Sequence, residues 1–143
     1  MRRVVVVHGP NLNLLGKREP HIYGTRSLDD LNRFVSAQAK ELDLEVGVFQ
    51  SNHEGEIIDF LQKQGPGSVG IVINPGAFSH YSLAIYDCLQ ALALPVVEVH
   101  LSNIHAREEF RSKSVTGRAA RGVITGLGFK GYEFALRYLA EEK

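Results

Sequence analysis

Glu98 and His100 stand two residues apart at the end of an apolar run, Val96-Val97-Glu98-Val99-His100. On a strand that spacing turns both side chains to one face. A carboxylate that fixes the tautomer of an imidazole makes a proton-transfer pair; on a fraying strand end the same residues would be a solvated surface pair. His8, His80, His100, His105 and Glu98 could instead gather a metal. No His-Glu-x-x-His spacing occurs among them and no thiolates accompany them, so no metal is expected. Arg107 and Arg111 lie four apart and share a face if their segment is helical. Their forked donors suit a carboxylate or a hydroxyl-rich ligand, while Glu108 and Glu109 offer them surface partners. A third concentration lies between His8 and Ser27, where Asn11 and Asn13 are followed by Lys17, Arg18 and Arg26 around Tyr23. Two prolines and three glycines forbid a regular element across this stretch. Connections in α/β proteins are usually short, so one this long reads as a binding loop or lid, placed at about residues 16–26.

The elements that must carry these residues alternate. Short runs rich in Val and Ile, at Val4–Val7, Leu44–Phe49, Val69–Ile73, Val96–Val99 and Gly122–Thr125, read as strands covered on both faces. Leu28, Leu31, Val35, Ala39 and Leu42 make a helical stripe with Ser27 as N-cap. Ile57, Phe60, Leu61 and Gln64 outline a second helix, stopped by Gly65-Pro66-Gly67. Ala84, Ile85, Cys88, Leu89 and Leu92 make a third, and Tyr132, Ala135, Leu136, Leu139 and Ala140 a last. The exception is Leu101–Arg121, polar and charged, with room for at most two helical turns. The alternation predicts an α/β fold with a flavodoxin-like five-stranded parallel sheet of order 2-1-3-4-5 and helices on both faces. Residues 1–143 read as a single domain. In that order the crevice outside the carboxyl ends of strands one and three binds ligands. The opening loop, Asn74–His80 and Glu98–Asn103 would then meet on one rim.

Sixteen basic and sixteen acidic residues cancel, so no global field favours nucleic acid or an anionic membrane. The apolar run after Met1-Arg2-Arg3 is too short for a signal peptide, and no stretch is long enough to span a bilayer. The one cysteine, Cys88, forms no internal disulfide, as expected of a cytoplasmic protein. It falls on the apolar face of a predicted helix and reads as packing. Gly126-Leu-Gly128-Phe-Lys-Gly131 is a literal G-x-G-x-x-G. Twelve residues follow Gly131, too few for the acid about twenty residues on that holds a ribose, so a tight turn explains it better.

Taken together, three stretches carry a resemblance. They are His8-Gly-Pro-Asn-Leu-Asn-Leu-Leu-Gly with Arg18-Glu-Pro and Tyr23-Gly, then Ile73-Asn-Pro-Gly-Ala-Phe-Ser-His80, then Glu98-Val-His-Leu-Ser-Asn-Ile-His-Ala-Arg-Glu-Glu-Phe-Arg111. The combination resembles the type II 3-dehydroquinate dehydratases, which make 3-dehydroshikimate in the shikimate pathway. The likeness continues through Gly122-Val-Ile-Thr-Gly-Leu-Gly and Gly131-Tyr to the last helix. It implies Tyr23 as base with Arg18 as its activator, His100 as general acid beside Glu98, and Asn11 holding a water at the enolate. Asn74, His80, Ser102, the backbone at Leu101 and Arg111 would grip carboxylate and hydroxyls. Arg107 matches the lid-supporting arginine and Asp87 the acid donated by an adjacent subunit of a homododecamer, a tetramer of trimers. No cofactor is implied. The chain departs from the pattern at His8, where asparagine is frequent, at Ser79 for threonine, and at Tyr86, where arginine commonly precedes the aspartate.

The chemistry of such a dehydration suits the residue types. A phenol titrates near pH 10 and serves as a base at neutrality only beside positive charge, which the permanently cationic Arg18 supplies. A growing enolate needs fixed dipoles, as Asn11 and its water offer. None of the predicted strands contains a lysine, which disfavours an imine route. The competing class is a binding module for flavin or phosphate on the same fold. The loop after the first strand has no Ser/Thr/Gly-rich phosphate cradle to support it.

Overall fold

The computed structural model describes residues 1–17, 19–23 and 25–142. Its centre is a five-stranded, all-parallel sheet: β1 (Arg2–His8), β2 (Leu44–Gln50), β3 (Gly70–Asn74), β4 (Val96–His100) and β5 (Gly122–Thr125), in the order β2-β1-β3-β4-β5. This is the flavodoxin-like arrangement expected from the alternation. Four helices cover it: α2 (Leu28–Glu41), α3 (Glu54–Gln64), α4 (Leu83–Leu92) and α5 (Phe129–Ala140). A short fifth, α1 (Pro20–Tyr23), precedes them in the chain.

The valine run of β1 alternates between two cores. Val4 and Val6 pack with Leu31, Val35, Tyr132 and Leu136 on the α2/α5 face, whereas Val5 and Val7 pack with Ile57, Leu61, Ile85 and Leu89 on the α3/α4 face. All four valines have no exposed surface, so the strand is apolar throughout and not half polar. Ser27 caps α2 as expected: its Oγ accepts from the Asp30 N–H at 3.1 Å, while Asp30 Oδ2 accepts from the Ser27 N–H at 2.9 Å. This reciprocal pair satisfies two N–H groups that the first turn leaves open. Cys88 is buried in the α3/α4 core, which pushes its thiol pKa up and leaves it a packing residue.

Four expectations need correction. The opening stretch does hold short pieces of regular structure, a 3-10 turn at Leu12–Leu14 and the single turn of α1, which starts on Pro20, the first helical position where a proline is tolerated. Ala84, placed on the apolar stripe of α4, is exposed. β5, with β2 one of the two edge strands, is not covered on both faces, and Val123 is 43% exposed. The segment after β4 forms three 3-10 turns, Ile104–Ala106, Glu109–Arg111 and Thr116–Ala119, and no α-helix. The Gly126–Gly131 motif is a strand-to-helix turn. Gly126 has φ +91°, and a Cβ there would lie 2.9 Å from Asn103 Cβ.

Candidate active site

A pocket of ≈ 180 Å³ opens at the carboxyl edge of the sheet, between the ends of β1, β3 and β4. Close approach of two loops builds its floor. Gly9 donates to the Asn74 carbonyl at 2.7 Å, and a Cβ on Gly9 would lie 2.3 Å from the Pro75 oxygen. No other residue fits at that spot. The chain then turns through Asn11, which has φ 69°, a left-handed conformation that asparagine tolerates. Asn52 Oδ1 at the end of β2 accepts from the Asn11 backbone N–H at 2.9 Å and from Gln50 Nε2 at 3.2 Å. Asn11, Asn74, His80, His100, Leu101, Ser102, Arg107 and Arg111 all line the pocket, so most of the expected site residues converge there.

Glu98 lies behind the pocket wall with no exposed surface, and His100 is 5% exposed. His100 Nε2 meets Glu98 Oε2 at 2.7 Å. Since a carboxylate only accepts, Nε2 carries the proton and Nδ1 is the nitrogen outside this bond. This is a buried pair, not a solvated one. Both oxygens of Glu98 accept further hydrogen bonds: Thr116 Oγ1 donates to Oε1 at 2.5 Å and Ser114 Oγ to Oε2 at 2.5 Å. Sequence reasoning missed both hydroxyls, since they lie sixteen and eighteen residues downstream in an irregular segment.

A second buried network lies on the opposite face of the sheet. His8 Nε2 meets Asn32 Oδ1 at 2.9 Å and His8 Nδ1 meets the Tyr132 hydroxyl at 3.1 Å. Burial pushes the His8 pKa from 6.5 down to about 4, against a smaller opposing effect of Asn32. The ring is therefore neutral at pH 7, donating to Asn32 and accepting from Tyr132. Burial raises the Tyr132 pKa, and a hydrogen bond from Asn74 opposes the rise. Asn74 Oδ1 in turn accepts from the Gly76 N–H at 3.1 Å. The carboxamide of a pocket residue is thus held by a chain of neutral groups reaching α2 and α5.

Arg107 and Arg111 reach the pocket by a different route from the one expected. Arg107 is in extended conformation between two 3-10 turns, so no helical face aligns them; the turns themselves aim both inward. Arg111 Nε lies 3.2 Å from Glu108 Oε1, and Arg107 Nη2 lies 3.6 Å from Glu19 Oε2 in the opening stretch. His80 Nδ1 donates to the Lys113 carbonyl at 2.7 Å, which leaves Nε2 as its acceptor. Arg26 stacks over the Phe129 ring, 3.7 Å from its centroid, and is engaged in packing. Asp87 does not line the pocket of its own chain and is exposed on α4. Arg18 lies outside the described residues, as does the side chain of Tyr23. Among the described residues no three His, Cys, Asp or Glu side chains are grouped to hold a metal ion.

A buried carboxylate–imidazole pair beside a pocket that no described lysine lines, at the switch point of a flavodoxin-like sheet, is the arrangement of a class of protein suited to moving protons on a small polar molecule. The model of the family described as dehydroquinase class II matches residues 2–140, and the chain belongs to that family. It is 58% identical to a 3-dehydroquinate dehydratase of Halothermothrix orenii over 95% of this chain and 92% of that one. To the enzyme of the same name from Bacillus licheniformis it is 54% identical, over 96% and 95%. The crystal structure of type II dehydroquinase from Propionibacterium acnes superposes with a TM-score of 0.95 at 46% identity, covering 99% of this chain and 98% of that one.

Proposed function

We propose that this protein is a lyase that dehydrates 3-dehydroquinate to 3-dehydroshikimate by anti elimination, serving aromatic amino acid biosynthesis or quinate catabolism. The observation that carries the reading is the buried Glu98–His100 pair, 2.7 Å apart, opening onto a small polar pocket. A base removes a carbon-bound proton α to the ketone, and its electron pair passes into the enolate. As the enolate collapses, the β-hydroxyl leaves, takes a proton from an acid and departs as water.

Tyr23 is the base, its phenolate favoured by Arg18, and His100 is the acid, held by Glu98. Asn11 fixes a water at the enolate oxygen. Asn74, His80, Ser102, the Leu101 backbone and Arg111 bind the carboxylate and hydroxyls. Residues 16–26 act as a lid on the single domain, supported by Arg107, and the Arg107–Glu19 contact across the mouth fits that role. Asp87 reaches a neighbouring subunit's site within a homododecamer, a placement favoured by its exposure on α4. The enzyme works in the cytoplasm and uses neither metal nor cofactor. No helix among the described residues is long and apolar enough to cross a membrane.

Adding 3-dehydroquinate to the purified protein tests the reading. Growth of the ultraviolet absorbance of a conjugated enone is expected; its absence refutes the assignment. Borohydride added with substrate distinguishes the imine route, which needs a lysine in the site. Among the described residues no lysine lines the pocket, so activity is expected to survive the treatment.

A further inference from the structure

One irregular segment, residues 113–116, touches both sides of the pocket. The Lys113 carbonyl accepts from His80 Nδ1 at 2.7 Å, and the Val115 N–H donates to the Ser79 carbonyl at 2.6 Å. Between and beyond these ties, Ser114 and Thr116 send their hydroxyls to the two oxygens of Glu98. Each hydroxyl has a single hydrogen, and each gives it to the carboxylate. The Ser114 oxygen accepts from the Gly117 N–H at 2.9 Å, which fixes the direction of its donation. Thr116 has no exposed surface and opens the 3-10 turn Thr116–Ala119, which packs against α4. None of Lys113, Ser114, Val115 and Thr116 lines the pocket.

We propose that Ser114 and Thr116 are positioning residues for the acid, acting through Glu98, and that residues 113–116 form a strap that sets His80 and His100 relative to each other. This rests on the reading of His100 as the general acid. Glu98 has four lone-pair directions, and an isolated carboxylate of this length rotates about its last torsion. With Oε1 held by Thr116 and Oε2 shared by Ser114 and His100, the carboxylate plane is fixed. The imidazole follows it, so Nδ1 faces one direction. The same strap fixes the His80 ring by its backbone, which commits Nε2 as an acceptor toward a substrate hydroxyl. A hydroxyl-bearing ring bound between the two histidines would meet one preset acceptor and one preset acid.

Thr116→Val tests this by replacing a hydroxyl with a methyl of similar size. The account expects kcat to fall by about 10- to 100-fold, as for a reacting group displaced by a fraction of an ångström to an ångström. KM should change by less than about threefold, because no ligand contact is removed. Thr116→Ser, which restores the hydroxyl, should recover most of kcat. Ser114→Ala should show the same split in smaller measure, and it carries the test if Thr116→Val does not fold. A folded Thr116→Val or Ser114→Ala with kcat within about twofold of wild type overturns the proposal. So does a loss in Thr116→Val that Thr116→Ser leaves unrepaired. Wild-type turnover of 3-dehydroquinate, measured alongside, separates failure of this inference from failure of the functional reading beneath it.

Discussion

The ends of β1 and β4 present the same residue type at the same place, a histidine at the carboxyl end of a strand, yet build opposite things with it. His8 is fully buried on the α2/α5 face and His100 is 5% exposed on the other. Both are hydrogen-bonded, so neither burial nor satisfaction of donors separates them. The partners do. His8 sits between the neutral groups of Asn32 and Tyr132, and desolvation holds it uncharged. His100 has a carboxylate 2.7 Å from one nitrogen and lines the pocket. A protonated ring is tolerable only where a counter-charge is present, so the proposed function assigns proton transfer to β4 and leaves shape to β1. His8 still serves the site, at one remove, by fixing the Tyr132 hydroxyl against Asn74.

The comparison breaks most completely if His8 is the base of the reaction. Tyr23→Phe leaves His8 untouched and removes only the phenol oxygen. Single-turnover and steady-state assays are expected to show kcat lower by about 10²–10⁴ with KM little changed. A nearly silent Tyr23→Phe would transfer suspicion to His8. Glu98→Gln attacks the other end. It removes the charge that pairs with His100 and puts an amide N–H2 in place of one acceptor oxygen, so that Thr116 must turn its hydroxyl from donating to accepting or His100 and Ser114 lose their shared acceptor. A fall of about 10² in kcat, and a cost of about 1–3 kcal/mol in stability from the buried mismatch, are expected by assay and denaturant melt.

A pH titration of stability sharpens the other side. The native His8 ring gives up its proton down to about pH 4, whereas in the unfolded chain the ordinary value is 6.5. Between those values the unfolded state binds more protons, so the contribution is complete above pH 6.5 and is lost as pH falls toward 4. The loss amounts to about 3 kcal/mol. His8→Asn should flatten that part of the curve, as read from denaturant midpoints at successive pH values. The smallest effect is that of Tyr132→Phe. It leaves His8 Nδ1 and the Asn74 amide short of a partner, costing about 1–3 kcal/mol, and it should raise KM a few-fold while sparing kcat.

The β4 end was legible in the sequence because two charged residues interrupt an apolar strand at a spacing that fixes their common face. The sheet order was legible in the alternation of short Val- and Ile-rich runs with helical patterns, and the four long helices in a period of 3.6 read over enough residues. What escaped has no period. His8 meets Tyr132 across 124 residues, and Glu98 meets Thr116 across eighteen. Each joins a strand end to a residue whose position depends on the finished fold. The Arg107–Arg111 spacing suggested a helical face, but two 3-10 turns with an extended residue between them deliver both guanidiniums to the pocket. Ser114 and Thr116 looked like ordinary loop residues because their partner lies on another element. The resemblance supplied their neighbours' roles but not theirs.

Measuring kcat for His100→Asn and His8→Asn side by side, with 3-dehydroquinate as substrate, tests the division between the two strand ends most directly. Both variants exchange an imidazole for a short amide at a buried strand end. The account predicts a loss of about 10²–10⁴ in His100→Asn and turnover within about threefold of wild type in His8→Asn. Equal losses in the two, or the larger loss in His8→Asn, would contradict it.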